Sequence, residues 1–270
     1  MPLPLYVVDA FATAPFTGNP AAVVILPAEQ APSEAWMQAV AAEMKHSETA
    51  FVQPLATAHP SFSLRWFTPA AEVQLCGHAT LATSHALWST GRAAQDEPLI
   101  FETLSGRLTC LRTAHGAIRM DFPSTPPEAS RLPQGLLEGM GLDDVVSSWR
   151  SRFDYLLELP DRQAVEAVRP DFRALHVLAA RGIMVTARDD VGGVDFVSRF
   201  FAPGVGVDED PVTGSAHCAL APFWVERLGR GRLRARQLSE RGGELTVELH
   251  GDRVVLEGRA ITVTAGELLA

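Results

Sequence analysis

The sequence predicts an α/β protein made of two copies of one unit, and three aligned pairs of segments carry that prediction. Arg65-Trp66-Phe67-Thr68-Pro69 is answered by Arg199-Phe200-Phe201-Ala202-Pro203 at a shift of 134 residues. Gly77-His78-Ala79 is answered by Gly214-Ser215-Ala216 at a shift of 137, as if three residues had been inserted. Ser105-Gly106-Arg107-Leu108-Thr109 is answered by Gly242-Gly243-Glu244-Leu245-Thr246, again at 137. The order is the same in both halves. Each copy runs from an aromatic strand, through a turn, to a glycine that opens a helix.

Taken in order, Leu5–Phe11 reads as a strand, and Gly18-Asn19-Pro20 turns it into a more buried strand over Ala22–Leu26. Ser33 caps a helix in which Trp36, Met37, Val40, Ala41 and Met44 recur at helical spacing, ending near His46. Ser47–Val52 and Leu64–Phe67 are strand patterns. A small-residue helix runs from about His78 to Thr90, closed by Gly91. A meander follows over Leu99–Thr103, Arg107–Thr113 and Ala117–Phe122, and the Pro- and Ser-rich stretch Pro123–Ser130 reads as a linker. In the second half, Tyr155–Leu159, Ile183–Thr186 and Phe196–Phe201 are strands, and Asp161 and Asp171 start short helices. The helix opened at Ser215 runs to about Gly229, with Pro222 set against the carbonyl of Cys218. A second meander covers Leu245–Leu249, Arg253–Leu256 and Ala260–Thr264. The division expected from the repeat is 1–115 and 116–259.

Composition narrows the function. Apolar residues make up 47% and charged residues 20%, as in a well-buried globular core. A net charge of −9 argues against nucleic acid or an anionic membrane as partner. Cys76, Cys110 and Cys218 are too few and too scattered for a disulfide framework, which points to a reducing compartment. With no signal-peptide pattern at Met1–Leu5 and no apolar run of spanning length, the expectation is a soluble, cytoplasmic protein.

The chemistry-bearing groups cluster near the repeated glycines. At Gly77 and Gly214 the backbone can approach a ligand, and the N–H groups that follow lie at the positive end of a helix dipole. Two such ends aimed at one cleft would bind a carboxylate or stabilise an oxyanion; each glycine alone is an ordinary turn residue. Glu48 has Gly182 as its counterpart, so a carboxylate stands in one half only. Placed on an apolar face, it could take and return a proton near neutral pH. His78 sits at a helix start, where the dipole disfavours its charged form, and could relay a proton as neutral imidazole. Asp210 stands before Pro211 at the other helix mouth, and Asn19 is either a turn residue or an amide aimed into the cleft. No metal is expected, since there is no His-Glu-x-x-His, no Cys-x-x-Cys and no calcium-loop order in Asp208-Glu209-Asp210. Gly204-Val205-Gly206 fits no nucleotide fingerprint, and Ser215 is not in a hydrolase elbow. Cofactor-free proton chemistry is what remains.

Five ordered stretches carry a family resemblance: Asp9-Ala10-Phe11, Gly18–Val23, Ser47–Phe51, Cys76-Gly77-His78-Ala79-Thr80 and Asp210–Ala216. Together they resemble the PhzF-like isomerases of phenazine biosynthesis, which share the diaminopimelate epimerase fold. The resemblance implies two pseudo-symmetric lobes, each a barrel-like, mostly antiparallel sheet around a central helix, with the active site between them. It implies that the last strand, near 260–270, returns to the first lobe, and that the protein is a homodimer. Glu48 is then the proton-shuttling acid/base, assisted by His78, Asp210 and Ser215. Asn19, Gly77, Thr213 and Gly214 would contact a small carboxylate-bearing substrate, and no cofactor is needed. The reaction implied is like that of trans-2,3-dihydro-3-hydroxyanthranilate isomerase. Cys76 stands where one of the two cysteine bases of the epimerases would be expected, but Pro211 occupies the facing place and Cys218 lies too far into its helix. His46 precedes Ser47 where a neutral residue such as Leu is expected. The competing expectations are an amino-acid epimerase using Cys76 and an inert small-molecule-binding protein.

Overall fold

The computed structural model describes residues 2–29, 32–57, 61–177 and 180–269. The first half forms β1 (Leu3–Ala10), β2 (Asn19–Ile25), α1 (Glu34–Met44), β3 (Glu48–Pro54), β4 (Ser61–Phe67), β5 (Glu72–Val73), α2 (Gly77–Ser89), β6 (Leu99–Thr103), β7 (Gly106–Arg112) and β8 (Ile118–Pro123). There follow β9 (Glu128–Ala129), α3 (Leu136–Met140), β10 (Ser147–Arg150), β11 (Asp154–Glu158), α4 (Arg162–Ala167), α5 (Phe172–Leu175), β12 (Gly182–Arg188) and β13 (Phe196–Ala202). A 3-10 turn at Pro203–Val205 then leads to β14 (Val207–Asp210), α6 (Gly214–Leu228), β15 (Arg232–Gln237), β16 (Gly243–His250), β17 (Arg253–Gly258) and β18 (Ala260–Leu268).

Two units result. One comprises Met1–Phe122 with Leu256–Ala270, the other Pro123–Val255. The boundaries expected from the repeat, 115/116 and 259/260, are thus displaced, because β8 completes a hairpin with β7 (Cys110↔Met120) inside the first unit. The last strand belongs to that unit too, β18 running antiparallel along β1 from Leu3↔Leu268 to Ala10↔Ala260. The expected linker is partly strand, since β9 pairs with β10 at Ala129↔Trp149.

The repeat holds at the level of register. In the first unit β2 and β3 are parallel (Ala21↔Glu48), β3 and β4 antiparallel (Ala50↔Trp66), and β4 and β6 parallel (Ser61↔Ile100). In the second, β11 and β12 are parallel (Asp154↔Gly182), β12 and β13 antiparallel (Met184↔Phe200), and β13 and β15 parallel (Phe196↔Ala235). A side-chain device repeats as well. Arg65 grips Glu72 with two bonds of 2.6 and 2.7 Å, its guanidinium 5.1 Å from the Phe67 ring centroid. Arg199 grips Glu209 at 2.7 and 2.8 Å, 4.8 Å from the Phe201 centroid. The three residues by which the second copy is longer fall at the 3-10 turn, between Pro203 and Glu209.

The first unit is built around a helix that is buried along most of its length. In α2 every residue from His78 to Ser84 is buried, as are Ala86, Leu87 and Trp88, with β1, β2, β3 and β18 against it. Small residues let the sheet approach that closely. The buried hydroxyls of Thr80, Thr83 and Ser84 are satisfied locally, donating to the carbonyls four residues back at 2.6, 2.7 and 2.9 Å. Pro222 lies inside α6 and cannot donate to the Cys218 carbonyl, which accepts instead from Thr125 N–H at 3.0 Å. Ser33 caps α1 by accepting from Trp36 N–H, Asp161 and Asp171 cap α4 and α5, and Gly229 ends α6 in the left-handed region. Outside the first sheet, α1 buries Met37, Val40 and Ala41 against Phe51 and Phe67. Full burial of such side chains stabilises by roughly 1.5–3 kcal/mol each.

Candidate active site

Gly18 begins the first half-site. Its φ of +71° lies in the left-handed region that favours glycine, and a Cβ there would lie 2.2 Å from the Ala10 carbonyl oxygen. That tight turn delivers Asn19, fully buried, to the start of β2, two residues ahead of the Ala21↔Glu48 pairing. Asn19 Nδ2 lies 3.3 Å from His78 Nδ1, and Ser47 Oγ donates to Asn19 Oδ1 at 3.3 Å. With its amide so oriented, Asn19 donates to Nδ1, so the imidazole hydrogen belongs on Nε2. Nε2 faces Glu48 Oε2 at 3.2 Å, with side-chain exposures of 7% for His78 and 18% for Glu48.

The contact is one of carboxylate with neutral imidazole. Burial, and secondarily the charge of His46, lowers the His78 pKa to about 3. The geometry alone would suggest an ion pair, but an imidazolium so deeply desolvated is not sustained near neutral pH. The leading cause is burial rather than the helix dipole. Cys76 adds to the cluster, its Sγ 3.5 Å from His78 Nδ1. It is the N-cap residue of α2 and makes no side-chain capping bond.

The second half-site lies at the mouth of α6. Thr213 is the N-cap, and its hydroxyl donates to Asp210 Oδ2. Gln237, fully buried at the end of β15, pins this loop three times. It accepts from Thr213 N–H at 3.0 Å and donates to the Asp210 carbonyl at 2.7 Å and to Thr213 Oγ1 at 3.2 Å. Nothing in the linear pattern singles out Gln237; its alternation with buried Leu233 and Ala235 is the only signal available. Gly214 and Ser215 form the first turn of α6, with Gly214 buried and Ser215 partly exposed.

The structure thus groups Asn19, Glu48, Gly77 and His78 in one unit and Asp210, Thr213, Gly214 and Ser215 in the other. It also corrects one correspondence. Cys76 and Thr213 are both N-cap residues of the central helices, so Thr213 rather than Pro211 occupies the place equivalent to Cys76. At the place equivalent to Glu48, a Cβ on Gly182 would meet Phe200 Cζ at 2.3 Å. Beside it Arg181 pairs with the buried Asp154, Nε to Oδ1 at 2.9 Å and Nη2 to Oδ2. A separate cavity of about 320 Å³ lies along the C-terminal half of α2, near His85, Arg112 and Arg259, and includes none of the candidate site residues.

Comparison with known proteins identifies the family. The family model described as "Phenazine biosynthesis-like protein" matches residues 8–266. An uncharacterized isomerase of Halalkalibacterium halodurans is 47% identical over 270 residues, covering 100% of this chain and 99% of the relative. The human phenazine biosynthesis-like domain-containing protein is 38% identical, with 100% of both chains covered. The crystal structure of a PhzF-family protein from Enterococcus faecalis superposes with a TM-score of 0.92 at 41% identity, covering both chains completely. A probable proline racemase from Agrobacterium radiobacter, at 12% identity and a TM-score of 0.64, shares the fold, with 98% of this chain and 92% of the other covered. Among the described residues no helix is long and apolar enough to cross a membrane. The chain belongs to the phenazine biosynthesis-like (PhzC-PhzF) family.

Proposed function

We propose that the protein is a cofactor-independent isomerase that moves a proton on a small carboxylate-bearing substrate, with Glu48 as the acid/base. The observation that carries this is the Glu48–His78 contact at 3.2 Å, in which a buried, neutral imidazole faces the carboxylate. His78 Nε2 lies 3.2 Å from one carboxylate oxygen, and Asn19 holds the imidazole in that tautomer. Glu48 removes a carbon-bound proton and returns it at another carbon on the same face. The charge that develops is stabilised by the N–H groups that open α2 at Gly77, with Asn19 contacting the substrate. Asp210 and Ser215 assist, Asp210 through its bond with Thr213. In the epimerase alternative a second thiol is needed on the opposite face, and the residue equivalent to Cys76 is Thr213, a hydroxyl far too weak an acid for that task. The same reading includes a homodimer, which light scattering at micromolar concentration tests.

Solvent exchange tests the assignment. Cyclic and open-chain amino and hydroxy acids are screened in D₂O by mass spectrometry, and the labelled position separates isomerisation from epimerisation. Glu48→Gln keeps size and hydrogen bonding but removes the ionisable proton, so exchange falls by at least the ~10²–10⁴-fold typical of general acid–base catalysis. Exchange by Glu48→Gln at the wild-type rate refutes the role of Glu48, and no exchange with any compound favours the binding protein.

A further inference from the structure

The donor atoms of Glu48, Cys76 and His78 all lie within 4.8 Å of one another. Their arrangement around the imidazole is specific. Cys76 Sγ is 3.5 Å and Asn19 Nδ2 is 3.3 Å from one ring nitrogen, Nδ1, while Glu48 Oε2 is 3.2 Å from the other. A zinc ion holds sulfur at about 2.3 Å and nitrogen or oxygen at about 2.0–2.1 Å in a tetrahedron, which requires S···N near 3.5 Å and N···O near 3.3 Å. The two separations at Nδ1 match those distances. Turning the Asn19 amide end for end presents its oxygen in place of its nitrogen, and Ser47 Oγ can then accept where it now donates. Glu48 Oε2, 3.2 Å from Nε2, places a carboxylate behind the imidazole, where one commonly orients a metal-bound histidine.

We propose that Cys76 Sγ, His78 Nδ1 and the Asn19 amide oxygen form a site for a thiophilic divalent cation of the zinc type, with Glu48 as the orienting carboxylate. The Cys76 thiol releases its proton to solvent as the sulfur–metal bond forms. Occupancy draws Asn19 and His78 onto the ion and ties Glu48 to the imidazole, so the cation is an inhibitor of the proton chemistry proposed above. The site itself does not depend on that proposal.

Cobalt(II) is the probe, because its spectrum reports ligands without any substrate. Titrated into the wild-type chain, it gives a thiolate-to-cobalt charge-transfer band in the near ultraviolet together with visible bands of tetrahedral intensity. Cys76→Ser, which keeps size and polarity, abolishes the charge-transfer band, whereas Cys218→Ser retains it. Asn19→Ala weakens cobalt binding at least tenfold. Zinc raises the wild-type melting temperature and does not raise that of Cys76→Ser, a comparison that also reports whether the variant is folded. Absence of the band from the wild type, or its persistence in Cys76→Ser, overturns the site and leaves the role of Glu48 untouched.

Discussion

Gly18 and Gly91 make a controlled pair for testing how the first half-site is held. Their φ values are nearly equal, +71° and +69°, so alanine at either position carries the same left-handed strain, roughly 1–2 kcal/mol. Their surroundings differ. A Cβ at Gly91 meets nothing within 4 Å, whereas at Gly18 it lies 2.2 Å from Ala10 O and 3.0 Å from Ala12 N. Those atoms are backbone, so no rotamer change relieves the overlap and the β1–β2 turn itself must shift. Overpacking of this kind costs a further ~1–3 kcal/mol.

Gly91→Ala should therefore lower the melting temperature by only a few degrees, and Gly18→Ala by roughly twice that, at about 2–4 °C per kcal/mol for a chain of this size class. The shift also moves Asn19, which holds the His78 tautomer at 3.3 Å. Exchange activity should drop at least tenfold in Gly18→Ala, a barrier change of about 1.4 kcal/mol, and stay unchanged in Gly91→Ala. Scanning calorimetry and deuterium exchange on the two variants decide the matter. Equal melting temperatures, or full activity in Gly18→Ala, refute the claim that this turn positions the site.

Three further perturbations follow from buried groups. His217 is fully buried, and desolvation takes its pKa to about 4 despite its bond to the Thr213 carbonyl. The unfolded chain therefore binds the extra proton first, and stability falls as pH drops from about 6.5 to about 4, by roughly 3 kcal/mol for this group. His217→Gln should remove that share of the slope in urea titrations at pH 7 and pH 4, and a variant keeping the whole slope contradicts it. Arg181→Ala strands the Asp154 carboxylate, which is 2% exposed. Breaking a buried pair costs about 3–5 kcal/mol, here discounted to roughly 2 because the arginine is 35% exposed, and a loss below 0.5 kcal/mol would show the pair to be inert. Cys76→Ala should leave metal-free turnover within about tenfold, whereas a loss of several powers of ten would make the thiol a base.

Much of this arrangement can be read from the residues, because the two copies keep their turn and cap chemistry. Ser33, Asp161 and Asp171 cap helices where their side chains suggest, and Gly229 stops α6. Other features are hidden for physical reasons. In β15 the exposed positions are Arg232 and Arg234, so the run Arg-Leu-Arg-Ala-Arg-Gln looks like a charged loop until its buried alternate positions are seen. Gln237 reaches Asp210 and Thr213 across 27 and 24 residues of chain, a contact that only the β13–β15 pairing creates. The repeated Arg–Glu grip escapes notice because the 3-10 turn at Pro203–Val205 lengthens one copy between its two partners. Cys76 and Asn19 are 57 positions apart, yet both reach the same imidazole nitrogen.

The asymmetry of the repeat has a steric cause that bears on mechanism. Glu48 and Gly182 stand at equivalent register, each one residue before the pairings Thr49↔Phe67 and Ile183↔Phe201. On the neighbouring strand the equivalent aromatics are Trp66 and Phe200, and the Phe200 ring occupies the volume that a side chain at 182 would need. A carboxylate there would require the Phe200 ring to move. Where the first copy has Ser47 beside Glu48, the second has Arg181, whose guanidinium is committed to Asp154 and stacked near Phe153 and Phe200. The second unit is thereby closed to acid–base chemistry at this position, and Thr213 replaces the thiol at its helix mouth. Inversion at carbon ordinarily calls for a proton donor and an acceptor on opposite faces. With a carboxylate at this strand position in one copy only, the chain is suited instead to lifting a proton and setting it down on the same face, which is why the proposed reaction is an isomerisation.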